Sequence, residues 1–138
     1  LHEGFVLDHI EAGKSMEIYK YLGLDKFDCT VAIIKNAKSN KMGKKDILKV
    51  ECDVNMLDLD VLGFIDHNIT VNVIKSGDIV EKKELKLPKQ IKNVIRCKNP
   101  RCITSIEQEL RQIFVLAGPN KEVYRCKYCE EKFDKQNL

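Results

Sequence analysis

RCKNPRC, residues 96–102, and RCKYCEEKF, residues 125–133, place four of the chain's six cysteines in two close pairs. Cys97 and Cys102 have four residues between them, Cys126 and Cys129 have two, and 23 residues separate the pairs. That spacing is a metal-site pattern. Each short turn points its two sulfurs at a common centre, and a hairpin across the gap brings the turns together. Four thiolates close the tetrahedral shell that zinc prefers and leave no position for water. The spacing therefore predicts one Zn2+ per chain, structural rather than catalytic. Six cysteines would also serve three disulfides in a secreted chain. The start, LHEGFVLDH, has no basic segment followed by an apolar one, so no secretion signal is expected. Reduced thiols and a cytoplasmic location follow. Cys29 and Cys52 lie in apolar, strand-like runs and read as ordinary buried residues.

The cysteines also bear on domain organisation. A segment of about fifty residues buries little core, and a metal supplies the missing folding energy. LPKQIKN, residues 87–93, reads as a linker ahead of it. We therefore expect domains at 1–90 and 91–138. The first carries 14 Lys+Arg against 15 Asp+Glu and the second 10 against 6. Once four thiolates and a divalent ion are counted, the second is no basic clamp. No apolar run approaches the ~18–20 residues that span a bilayer, and no membrane partner is expected.

Upstream of the linker, period-2 and period-3.6 patterns alternate. GFVLDHI is β-rich. EAGKSMEIYKYLGL has Ala12, Met16, Tyr19 and Leu22 at helical spacing, with Gly23 as a stop. CTVAIIK reads as a buried strand, and NAKSNKMGKK as a polar connection. DILKVEC alternates, with Leu48, Val50 and Cys52 on one face and Lys45, Ile47, Lys49 and Glu51 on the other. VNMLDLDVLGFI places Leu57, Val61, Phe64 and Ile65 on a helical stripe that Asn55 could cap. ITVNVIK and IVEKKELKL are strands joined by the hairpin signal SGD. This order, βαββαβ plus one strand, predicts an α+β fold: a ferredoxin-like antiparallel sheet with two helices on one face, followed by a small zinc-bound β domain. The second domain offers short β-like runs, RQIFVLA and EVYRC, a turn at AGPN (117–120) and no clear helix.

Asp8 and His9 end the first strand, and Lys45 and Lys49 share a strand face. Like charges on one face cost stability unless solvated or paired with an anion. Lys82 joins them if the strands neighbour each other, and Asn72 offers an amide to a base. The result would be a small anion-binding face. There is no Gly-rich loop, no P-loop and no nucleophile–base pair, so no catalysis is expected. A zinc-ribbon module binding nucleic acid is the alternative reading. Against it, the second domain has no clustered aromatics, and Glu107, Glu109, Glu122, Glu130 and Glu131 interrupt its basic residues.

The segments VLDHIEAGK, MGKKDILKVE, ITVNVI, LPKQIKNVIRCKNPRCIT and CKYCEEKF, in this order, closely resemble the regulatory chain of aspartate carbamoyltransferase. The resemblance implies a noncatalytic subunit in pyrimidine synthesis. Its N-terminal domain would bind the nucleotide effectors CTP, ATP and UTP and pair with a second regulatory chain, and its zinc domain would dock on catalytic chains. By matching motifs it implies Asp8, His9, Lys45, Lys49, Asn72 and Lys82 as effector contacts. It likewise implies Asn99 and Glu130 as positions facing the catalytic chain. No nucleic-acid partner is expected.

Overall fold

The computed structural model describes residues 2–53, 57–118 and 122–133. The chain divides into two compact units, Leu1–Lys86 and Leu87–Leu138.

The first unit runs β1 (Gly4–Glu11), α1 (Ser15–Tyr21), a 3-10 turn (Leu24–Lys26), β2 (Thr30–Ser39), β3 (Gly43–Glu51), α2 (Leu59–Ile65), β4 (Thr70–Lys75) and β5 (Asp78–Glu84). Its sheet has the order β2-β3-β1-β4-β5 with every neighbour antiparallel. This is the expected ferredoxin-like arrangement with β5 added at one edge. The period-2 pattern explains the layers. Phe5, Leu7, Leu48, Val50, Val71 and Val73 alternate onto one face and are buried with Ile18 of α1 and Leu62 of α2. The opposite face keeps the polar members of the same strands.

Both helices depart in detail from the expected stripes. In α1 the buried positions are Ser15 and Ile18, while Met16 is 46% exposed. The cause is a buried carboxylate. Asp46 Oδ2 accepts hydrogen bonds from Ser15 Oγ (2.7 Å), Gly13 N (3.1 Å) and Ser15 N (3.4 Å), and Oδ1 accepts from Asn36 N (3.0 Å). Ser15 is thereby turned inward, which sets the rotation of the whole helix. Gly23, at φ 67°, stops it as expected. The second helix begins at Leu59, so Leu57 precedes it, and Leu62, Gly63 and Phe64 are its buried residues. Its cap is Asp58, whose carboxylate accepts from Asp60 N (3.0 Å) and Val61 N (3.2 Å); Asn55 lies outside the described residues. Gly63 is helical yet has no side chain because a Cβ there would overlap the Lys86 carbonyl.

Two strand expectations also change. CTVAIIK belongs to an edge strand with alternate residues exposed. NAKSNKMGKK is largely hairpin ladder, with Ala37, Lys38 and Ser39 paired to Lys45, Lys44 and Gly43. The SGD hairpin is as expected: Ser76 (φ 54°) and Gly77 (φ 82°) both take the left-handed region that a tight two-residue turn requires, and Lys75 pairs with Asp78.

The second unit contains β6 (Gln90–Lys92), α3 (Ile103–Ile106), β7 (Ile113–Gly118), β8 (Val123–Cys126) and β9 (Lys132–Phe133), with sheet order β6-β7-β8-β9. The supposed linker therefore contains a strand. Ile91 pairs with Phe114 and is buried, and the Tyr124 hydroxyl donates to the Pro88 carbonyl at 2.6 Å. Those contacts move the division to before Leu87. A single helical turn, α3, follows Cys102 where none was expected. Of the AGPN turn, residues 119 and 120 lie outside the described residues. Ile91, Ile95, Ile113, Phe114 and Tyr124 form a small apolar centre, with Phe133 edge-on to Phe114 at 5.9 Å. Among the described residues, no helix is long and apolar enough to cross a membrane.

Candidate functional site

In the second unit two turns meet. One carries Cys97 and Cys102 ahead of α3; the other carries Cys126, at the end of β8, and Cys129. Their four sulfurs all lie within 4.8 Å of one another. Cys97 Sγ is 3.5 Å from Cys129 Sγ, and Cys102 Sγ is 3.7 Å from Cys126 Sγ. A tetrahedron of sulfurs with metal bonds of about 2.3 Å has edges of about 3.8 Å, so the cluster fits a metal ion at its centre.

Local hydrogen bonds build both turns. Asn99 Oδ1 accepts from Arg101 N (3.0 Å), and the Asn99 carbonyl accepts from Cys102 N (3.0 Å) and Ser105 Oγ (2.8 Å). In the other turn the Cys126 carbonyl accepts from Glu130 N, and Cys126 N donates to the Glu131 carbonyl, both at 2.9 Å. Asn99 and Glu130 thus sit within the two cysteine turns, with Glu130 exposed. Sequence reading missed Gln112. It is buried, its Oε1 accepts from Cys97 N (2.9 Å), and its backbone N–H donates to Asn93 Oδ1 (3.0 Å). A lone Gln before an apolar run gives no such signal.

Burial pushes the Cys97 thiol up to about 12; the Asn99 amide opposes this and the neighbouring Cys129 and Cys126 sulfurs reinforce it. Cys126 is raised too, chiefly by burial. Cys102 goes the other way. Burial opposes its ionisation, but hydrogen bonds from the Thr104 hydroxyl and amide, with the Cys126 and Cys129 thiols, bring it down to about 7. Four sulfurs this close cannot all ionise without a cation among them, and a bound metal supplies that charge.

In the first unit the predicted polar residues gather on the open face of the sheet, opposite the helices. One cross-strand row reads Lys49 (β3), Val6 (β1), Asn72 (β4) and Lys82 (β5), each directly opposite the next. The strands bearing Lys49 and Lys82 are not neighbours. Three inter-strand steps separate them, about 14 Å, yet the register puts both on one line with the Asn72 amide between them. Both lysines are exposed, and neither has an ion-pair partner among the described residues.

The end of β1 adds a second cluster. A bulge between Leu7 and Ile10 puts His9 at φ 60°. Asp8 Oδ1 accepts from His9 N (2.7 Å) and is held by Lys45 Nζ at 2.9 Å; His9 Nδ1 lies 3.1 Å from Thr70 Oγ1. Burial alone would raise the Asp8 carboxyl, but the Lys45 ammonium and the His9 amide overcome it and hold the group below its ordinary value. Thr70 was not anticipated, because its place opposite Asp8 depends on the β1–β4 register.

Comparison with known families agrees with this division. Residues 1–86 match the allosteric domain of the aspartate carbamoyltransferase regulatory chain, and residues 89–138 match its metal binding domain. The chain belongs to the aspartate carbamoyltransferase regulatory chain family. It is 53% identical over 131 residues to the regulatory chain of Clostridium botulinum strain Hall, covering 95% of this chain and 89% of that one. It is 47% identical to that of Clostridium tetani (95% and 91% covered) and 44% identical to that of Bifidobacterium longum (96% and 94%). As a regulatory chain of aspartate carbamoyltransferase it is noncatalytic, and its role implies a catalytic-chain partner.

Proposed function

We propose that the open face of the first unit binds the nucleotide effectors CTP, ATP and UTP. The second unit, closed around one zinc ion, docks on the catalytic chain, and regulatory chains pair with each other through their first units. The effector reading rests on the Lys49–Val6–Asn72–Lys82 row. Two unpaired ammonium groups at its ends suit phosphates, and an amide between them suits a base or ribose. The Asp8–Lys45 pair and His9 border the same face and would adjust to the ligand. Zinc is favoured by four thiolates in a closed tetrahedral shell with no open position. When bound, it would hold the two cysteine turns together and so fix Asn99 and Glu130 on the docking surface.

Effector binding and assembly should separate, because their residues lie in different units. Lys49→Ala removes a charge-assisted phosphate contact worth about 1.5–3 kcal/mol, so CTP affinity is expected to fall about ten-fold or more. The variant should still assemble with catalytic chains. Cys129→Ser should do the reverse, keeping nucleotide binding and losing assembly. Either change should blunt regulation, since coupling needs both sites in one assembly. Titration calorimetry with CTP and the mass of the reconstituted complex decide the matter. Normal CTP binding by Lys49→Ala, or normal assembly of Cys129→Ser, contradicts this division of labour.

A further inference from the structure

Cys29 and Cys52 belong to neither site, and they are not the fully buried residues that their apolar surroundings predict. Both are partly exposed. Thr30 and Glu51 pair at the antiparallel end of β2 and β3, so one step outward Cys29 faces Cys52. Cys52 N donates to the Glu3 carbonyl at 3.2 Å, which turns the hydrogen-bonding edge of Cys52 toward β1. Toward β2 it therefore occupies a non-hydrogen-bonded position, where facing Cα atoms lie about 4.5 Å apart and side chains approach most closely. Disulfides accept Cα separations of about 4.4–6.8 Å. Both side chains lean on the same buried cluster, hence on one face of the sheet, and the Cys52 thiol itself donates to the Asp53 carbonyl at 3.4 Å.

We propose that Cys29 and Cys52 form a thiol–disulfide exchange site that reduces a low-molecular-weight disulfide and closes into a disulfide stapling β2 to β3. The Cys29 thiolate attacks one sulfur of R–S–S–R, expelling RS− and leaving a mixed disulfide on Cys29. Cys52 then gives its proton to a released thiolate and attacks Cys29 Sγ, expelling the second RS−. Two protein thiols become one disulfide, and one small disulfide becomes two thiols, which carry away the two protons. The order follows from environment. Burial, reinforced by the Cys29 sulfur, Asp53 and Glu3, pushes the Cys52 thiol up to about 11, so it is a poor first nucleophile. The staple would close three residues along β3 from Lys49, fixing the strand end that carries it.

The test uses the full chain in zinc-containing buffer, exposed to excess glutathione disulfide, quenched by alkylation and mapped as non-reduced peptides. The expected product is an intramolecular Cys29–Cys52 disulfide, seen as the loss of two hydrogen masses, with Cys97, Cys102, Cys126 and Cys129 unoxidised. Cys52→Ser, or Cys52→Ala if the serine variant misfolds, should halt with one glutathionyl group on Cys29. Recovery of Cys29 and Cys52 as free thiols, or as separate glutathione adducts in the unmutated chain, overturns the proposal.

Discussion

Stripping the metal from the four-cysteine centre, or replacing Cys126 with Ser, is expected to unfold residues 87–138 and leave the first unit folded. The second unit is small. Its sheet is closed at both edges by strands of three and two residues, β6 and β9, and its apolar centre is a handful of side chains. Structural zinc sites of this kind contribute about 10–16 kcal/mol of apparent binding free energy, and that energy is folding energy when no site exists in the unfolded chain. Serine at 126 leaves three thiolates and an incomplete shell. Metal analysis should give one zinc per chain before treatment and well below one in the variant. Limited chymotrypsin digestion should then cut beyond residue 86 while sparing β1 to β5. Unchanged metal content and an unchanged digestion pattern would show that the cysteine cluster does not hold this unit together.

Asp46→Ala is expected to destabilise the first unit by about 3 kcal/mol or more, because it strands several buried donors that each cost about 1–3 kcal/mol when unsatisfied. Asp46 is 0% exposed, and its carboxylate ties the β1–α1 turn and the bulge of β2 to β3 through Gly13, Ser15 and Asn36. The pH dependence has a definite sign. Burial acts to raise the carboxyl, but the Ser15 hydroxyl and the amides of Asn36, Gly13 and Ser15 hold it below its ordinary value. A depressed carboxyl stabilises the fold above its unfolded pKa of about 3.9, and that contribution is lost as pH falls through the lower folded pKa. Denaturant midpoints for wild type and Asp46→Asn should therefore converge as pH drops below about 4. Backbone resonances of residues 4–84 would report the first unit separately, since acid also releases a thiolate-bound metal. Equal midpoints for the two proteins at neutral pH would refute this role.

How much of this was legible beforehand depends on the range of the interaction. The grouping of Cys97, Cys102, Cys126 and Cys129 into one cluster that could hold a metal was readable because each pair lies within one tight turn. Strand identity in β1, β3, β4 and β5, the SGD hairpin and the stop at Gly23 were readable for the same reason: alternation, positive-φ turn residues and helix stops act over a few residues. The resemblance of whole segments to a known regulatory chain added roles that spacing alone does not supply.

The tertiary structure decided whatever depends on which segment lies against which. α1 presents Ser15 and Ile18 rather than Met16 because a carboxylate 31 residues away holds Ser15. A strand hides in LPKQIKN because Ile91 has Phe114 to pair with. Lys49 and Lys82 share a line across non-adjacent strands, Thr70 reaches His9, and Cys29 faces Cys52, each through register alone. Register is set by pairing between distant parts of the chain, and a slip of one residue would send every one of these side chains to the other face of the sheet. The sequence by itself determined the pairing of the four clustered cysteines and the kinds of element; packing between distant segments determined which side chains meet.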